Sequence, residues 1–80
     1  MRDTKHFVDM LGERSIRPEW ADSAVADPAR VEDHPDGTRH YLKPIADHGN
    51  RWLRVVVNHR VDPPVRVTAF FDRRMRSPDQ

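Results

Sequence analysis

Apolar positions recur along this chain with two different periods. Between Lys5 and Arg14, Phe7, Met10 and Leu11 stand at i, i+3 and i+4, the spacing of one face of a short amphipathic helix. Pro18 then falls where a first helical turn tolerates proline. Trp20, Ala21, Ala24 and Val25 follow on one stripe, and Pro28 stops the run, which predicts a second helix. From Ala29 the period shortens. Val31, the turn His34-Pro35-Asp36-Gly37 and the segment Thr38–Ile45 read as strand, turn and strand, because Asp-Gly is a strong tight-turn signal. Asp47-His48-Gly49-Asn50 is the next turn, Arg51–Asn58 the clearest strand, Pro63-Pro64 a loop and Val65–Phe71 a last strand. The expected class is α+β, with two N-terminal helices packed on an antiparallel sheet of three to four strands.

Length and composition set bounds on this reading. A chain of 80 residues is expected to form one domain, 1–80, with a core over about residues 5–72 and a polar tail, 73–80, that frays. It contains no cysteine, so neither disulfides nor thiolate metal sites stabilise it. No purely apolar run is longer than three residues, the length of Val55-Val56-Val57, which excludes a membrane-spanning helix. The stretch Met1-Arg2-Asp3-Thr4-Lys5-His6 lacks the apolar core of a signal peptide, so a cytoplasmic location is expected.

The net charge of +1 hides a polar distribution. Residues 18–38 carry a net −5 and residues 51–76 a net +5, the latter entirely from arginine. Arginine suits phosphate recognition through its planar fork. Side chains alternate faces along a strand. Leu53, Val55 and Val57, with Val65, Val67, Ala69 and Phe71, form aliphatic faces on which the helices are expected to pack. The opposite face would then hold Arg39, Tyr41, Lys43, Trp52, Arg54, Arg66, Thr68 and Phe70. Bases interleaved with aromatic rings suit a nucleic-acid strand, since guanidiniums neutralise phosphates and rings stack on bases. An ordinary solvated sheet face held by cation–aromatic contacts has the same composition.

Five histidines raise the question of metal. None has the i, i+4 spacing of a helical zinc pair, and His34, His40, His48 and His59 read as surface residues in or beside turns, so no metal or other cofactor is expected. Three glycines leave little from which to build a phosphate-cradling loop. Acid–base cleavage of RNA requires less: a proton acceptor for the ribose 2′-hydroxyl, a donor for the leaving oxygen, and a cation on the phosphorane. His6 and Glu13 fall on one helix face about 10 Å apart, with Arg14 beside them. Arg54, Arg66 and Thr68 are the candidates for phosphate binding and orientation on the sheet, and Trp52 and Tyr41 for stacking.

The segment His6-Phe7-Val8-Asp9-Met10-Leu11-Gly12-Glu13-Arg14-Ser15-Ile16 resembles the opening of a family of small bacterial proteins whose first helix reads His, then Met, then Glu-Arg-Gly-Ile. Asp36-Gly37, Arg54-Val55-Val56-Val57 and Val67-Thr68-Ala69-Phe70 stand where that family has its hairpin, valine-rich strand and final strand, so the likeness spans about residues 5–71. The family is similar to the RelE-like and BrnT-like toxins, whose fold is shared with barnase-type and colicin-type ribonucleases. The resemblance implies two helices on a curved antiparallel sheet, metal-independent endoribonuclease activity and neutralisation by a protein antitoxin. It carries His6, Glu13, Arg14 and Thr68 as matching polar positions, with Arg54 added by strand parity. Arg73 and Arg74 stand in approximately for the basic residues such toxins carry near the C-terminus. Phe7 replaces a small residue of the family and Ser15 its glycine. A non-catalytic RNA- or protein-binding module using the same sheet face is the alternative expectation.

Overall fold

A computed structural model describes residues 1–75. In chain order the elements are β1 (Arg2–Asp3), α1 (Lys5–Glu13), α2 (Pro18–Ala26), β2 (Arg30–Asp33), β3 (Thr38–Ile45), a 3₁₀ turn (Ala46–His48), β4 (Arg51–Asn58) and β5 (Val65–Phe71). The class is α+β, as expected. The sheet has five strands in the order β1-β5-β4-β3-β2 and is mixed, because β1 runs parallel to β5 while every other pair is antiparallel. Two residues carry no periodicity, which is why β1 is invisible in the pattern of apolar positions. Among the described residues no helix is long and apolar enough to cross a membrane. Residues 76–80 of the tail expected to fray lie outside the described residues, whereas its first part is held by a backbone bond from Met75 to Asp72 at 3.2 Å.

Helix α1 starts at Thr4, whose hydroxyl accepts the Phe7 amide at 3.0 Å and donates to the Val67 carbonyl of β5 at 3.3 Å. Its other end closes in a Schellman turn. The Ile16 amide reaches back to Leu11 and the Ser15 amide to Gly12, with Ser15 in the left-handed region at φ 54°. That conformation favours glycine, so Ser15 carries backbone strain at this corner. The turn drives Ile16 into the core and redirects the chain into α2, where Pro18 opens the first helical turn.

Both helices lie on one face of the sheet and bury Phe7, Ile16, Ala21 and Ala24 against Ile45, Leu53, Val55, Val57 and Ala69. Phe7 is wholly buried, a loss of about 3–5 kcal/mol were it truncated to alanine.

Two features of register overturn part of the expected face assignment. In β3, Arg39, Tyr41 and Lys43 lie opposite Val57, Val55 and Leu53, so they share the helix-bearing face rather than the open one. Tyr41 and Ile45 pack on the core there, while Leu42, the apolar residue that suggested the opposite assignment, is buried on the other side. In β5 the ladder slips: Thr68 pairs with Val56, but Val57 pairs with Arg66, leaving Val67 as an extra residue in a bulge. The bulge reverses parity beyond Val67 and turns Arg66 toward the helices, its guanidinium 4.6 Å from the centre of the Phe7 ring.

Candidate functional site

The face not covered by helices carries His40 and Leu42 from β3, Trp52, Arg54 and Val56 from β4, and Thr68 and Phe70 from β5, with Glu32 of β2 paired to His40. Beyond β5 the ladder runs on for one residue, with the Asp72 amide bonded to the Trp52 carbonyl at 2.8 Å, and the chain then turns at Arg73-Arg74. Asp72 and Met75 line, together with Phe70, two adjoining hollows. One, of about 390 Å³, is lined by Glu32, His34, His40, Arg54, Phe70, Asp72, Arg74 and Met75. The other, of about 660 Å³, is lined by Arg14, Asn50, Arg51, Trp52, Phe70, Phe71, Asp72, Arg73 and Met75.

Arg54 is the centre of the smaller hollow. Only 6% exposed, it donates from Nε to Asp72 Oδ2 at 2.9 Å and from Nη1 to Glu32 Oε1 at 2.9 Å and His40 Nδ1 at 2.8 Å. Its Nη2 donates to no described residue. A guanidinium only donates, so His40 Nδ1 accepts and its proton sits on Nε2. That Nε2–H points to Thr38 Oγ1 at 3.2 Å, and the Thr38 hydroxyl donates to Asp36 Oδ1 at 2.6 Å. A continuous hydrogen-bond path thus runs from buried Arg54 to solvent-exposed Asp36 through a neutral imidazole. Burial first, then the proximity of His34 and Arg54, pushes the His40 pKa below its ordinary value, in agreement with the neutral ring.

His34 stacks on His40 with ring centres 3.7 Å apart. Its Nε2 lies 3.3 Å from Glu32 Oε1, and its side chain is 37% exposed at the rim of the hollow. The Arg54 hydrogen bond, with help from His34 and Arg30, holds the Glu32 carboxyl below its usual range against the opposing effect of burial. Asp72 is held lower still, at about 2, by hydrogen bonds from the Arg74 side chain and backbone and from Arg54. Both acids are therefore anions at neutral pH, and Glu32 fixes the orientation of an imidazole that remains open to solvent.

Glu32, His34 and His40 place one donor atom each within 4.8 Å of one another, the residue types of a transition-metal site. Their geometry favours a proton network over a metal centre. Arg54 Nη1 already bonds two of the three residues, supplying the positive charge a cation would bring. The two imidazoles are also stacked face to face, 3.7 Å apart and 14° from parallel, rather than converging edge-on toward one point.

The structure gathers some of the residues expected from sequence and separates others. Arg54, Trp52 and Thr68 lie on the open face, Arg74 lines the smaller hollow, and Arg14, Trp52 and Arg73 line the larger. Arg14 reaches this position around the sheet edge, donating to the Ala69 carbonyl at 2.7 Å with its guanidinium 5.8 Å from the Phe70 ring centre. His6 and Glu13 are exposed on α1 and line neither hollow. Arg39 is bound to Asp33, Tyr41 contacts His59, Lys43 joins Ser23 and Asp27 of the α2 end, and Arg66 clasps Asp3 and Asp22. These four are structural ties on the helix side, not members of an open-face nucleic-acid surface.

Sequence reasoning passed over Glu32, His34, His40 and Asp72. The signal for three of them was present: an Asp36-Gly37 turn folds β2 onto β3 so that Glu32 faces His40, and parity brings His34 to the same side. No curated protein and no solved structure matches the chain. Residues 4–71 match the family described as a domain of unknown function, DUF4258, and the chain belongs to that family.

Proposed function

We propose that this protein is a metal-independent endoribonuclease of the RelE-like or BrnT-like toxin type, acting in the cytoplasm and neutralised by a protein antitoxin. The observation that carries the reading is the His34–Glu32 pair, an oriented and solvent-accessible imidazole beside a hollow that contains the Arg54 guanidinium. His34 Nδ1 takes the proton of a ribose 2′-hydroxyl, the 2′-oxygen bonds to phosphorus, and the bond to the 5′-oxygen breaks. The same imidazolium returns its proton to the departing 5′-oxygen, leaving a 2′,3′-cyclic phosphate and a 5′-hydroxyl end. Arg54 Nη2 and Arg74 stabilise the added negative charge on the phosphorane. In this reading His34 takes over the proton transfer expected of His6 or Glu13.

A non-catalytic RNA- or protein-binding module on the same face is favoured by one feature: both ring nitrogens of His40 are engaged, so the hollow offers a single open imidazole. Tightly induced expression in a bacterial host separates the two. Growth arrest by the wild type and by His6→Ala, with normal growth on His34→Ala, supports the enzyme. Equal growth of all three strains with soluble, folded protein sinks it and leaves the binding module.

A further inference from the structure

The ionic pairing of the surface singles out the larger hollow. Among the described residues, ion pairs occupy Arg17, Arg30, Arg39, Lys43, Arg54, Arg66 and Arg74. Arg2, Lys5, Arg14, Arg51, Arg60 and Arg73 have no carboxylate of the described residues within bonding distance, and three of these six, Arg14, Arg51 and Arg73, line this one hollow. They come from three different elements: the C-terminal cap of α1, the first residue of β4 and the turn after β5. Asp72, the one acid among its described lining residues, is already neutralised by Arg54 and Arg74. The hollow is therefore cationic and uncompensated.

Most of its remaining wall is aromatic, Trp52, Phe70 and Phe71, with Asn50 and Met75 beside them. Trp52 and Phe70 occupy neighbouring strands on the open face, and the Arg14 guanidinium stands beside the Phe70 ring. A flat π-face bounded by unpaired guanidiniums suits a nucleobase with phosphates on either side, and suits neither a cation nor an aliphatic ligand. Phe70, Asp72 and Met75 belong to the walls of both hollows, so a chain lying in one continues into the other.

We infer that the larger hollow is a nucleotide subsite of a single-stranded RNA, in which the base stacks on Trp52 and Phe70 and the flanking phosphates lie on Arg14, Arg51 and Arg73. The inference rests on the RNA reading above and adds to it where the strand beside the scissile bond is gripped. Specificity at that position comes from stacking strength and therefore favours purines, which offer the larger π-face.

The test uses a fluorescein-labelled six-nucleotide RNA with 2′-O-methyl riboses, which binds but cannot be cut, followed by anisotropy across a salt series. Arg51→Gln/Arg73→Gln changes two exposed side chains and leaves the fold intact. It is expected to lower the slope of log affinity against log salt by about 0.7 per contact removed. Trp52→Leu is expected to weaken binding about 5- to 150-fold, the range for loss of one base–aromatic stack, and to lose the preference of the wild type for an intact over an abasic oligonucleotide. Circular dichroism confirms that Trp52→Leu is folded, and the double arginine variant carries the test if it is not. Wild-type binding that neither variant alters overturns the subsite while leaving the RNA reading standing. Absence of any RNA affinity in the wild type overturns that reading and the subsite with it. Displacement of the RNA by an equal charge concentration of poly-glutamate, as effectively as by unlabelled RNA, shows a general anion patch and also overturns the subsite.

Discussion

Replacing Arg54 by methionine keeps most of the aliphatic volume of a buried side chain and removes its charge. Among the described residues Asp72, 5% exposed, then keeps only Arg74 as a cationic partner, while Glu32 and His40 Nδ1 lose their shared donor. Breaking a buried pair by removing one partner costs about 3–5 kcal/mol, because the surviving charge stays out of water. At about 0.05–0.15 kcal/mol per residue, a domain of this size has roughly 4–12 kcal/mol in total. Arg54→Met should therefore lower the urea midpoint by on the order of 3 M, taking a slope near 1 kcal/mol per molar for a small chain. Asp72→Asn in the same background tests the cause. The double variant should lose at least about 1.5 kcal/mol less than the two single losses added, since neither charge is left alone. An Arg54→Met protein within about 1 kcal/mol of the wild type, or strict additivity in the cycle, would refute the claim that this arginine organises the open face.

Acid should weaken the same network. The Asp72 carboxyl titrates at about 2 in the folded chain and near 3.9 in the unfolded one. Its contribution of about 2–3 kcal/mol is thus complete above pH 5 and fades as pH falls from 4 toward 2. Thermal melts between pH 5 and pH 2 check this, and Asp72→Asn should flatten the dependence. Thr4→Ala removes the hydroxyl that caps α1 and should cost about 1 kcal/mol in chemical denaturation. Ser15→Gly, by contrast, relieves a left-handed serine and should raise stability by roughly 0.5–1 kcal/mol; a lower midpoint would contradict the strain assigned to that corner.

The helices and the four longer strands were legible because each is punctuated and periodic: Pro18 and Pro28 bracket α2, and Asp36-Gly37 and Pro63-Pro64 bound the strands. Assignment of faces was legible only where one side of a strand is wholly aliphatic. In β4, Leu53, Val55 and Val57 settled the matter, and Trp52 and Arg54 followed correctly to the open face. In β3 each face mixes apolar and polar residues, so alternation alone could not decide between Leu42 and Tyr41 with Ile45 as the inward set. A bulge at Val67 has no sequence signature here, yet it moved Arg66 from one side of the sheet to the other. The site suffered most from a different cause. Its acids and imidazoles come from β2, the β2–β3 turn, β3 and the segment after β5, and only tertiary pairing turns such scattered residues into a network around one guanidinium.

The central claim is that His34, oriented by Glu32, moves the proton in cleavage of RNA. The most direct measurement incubates purified wild type, His34→Ala and His6→Ala with a structureless RNA in EDTA, and with the same strand made of DNA. The account predicts cleavage of RNA by the wild type and His6→Ala with 2′,3′-cyclic phosphate ends, no cleavage of DNA, and at least a 100-fold loss in His34→Ala, about the minimum for one acid–base group. Cleavage by His34→Ala at the wild-type rate, or intact RNA after incubation with equimolar folded wild type, would contradict it.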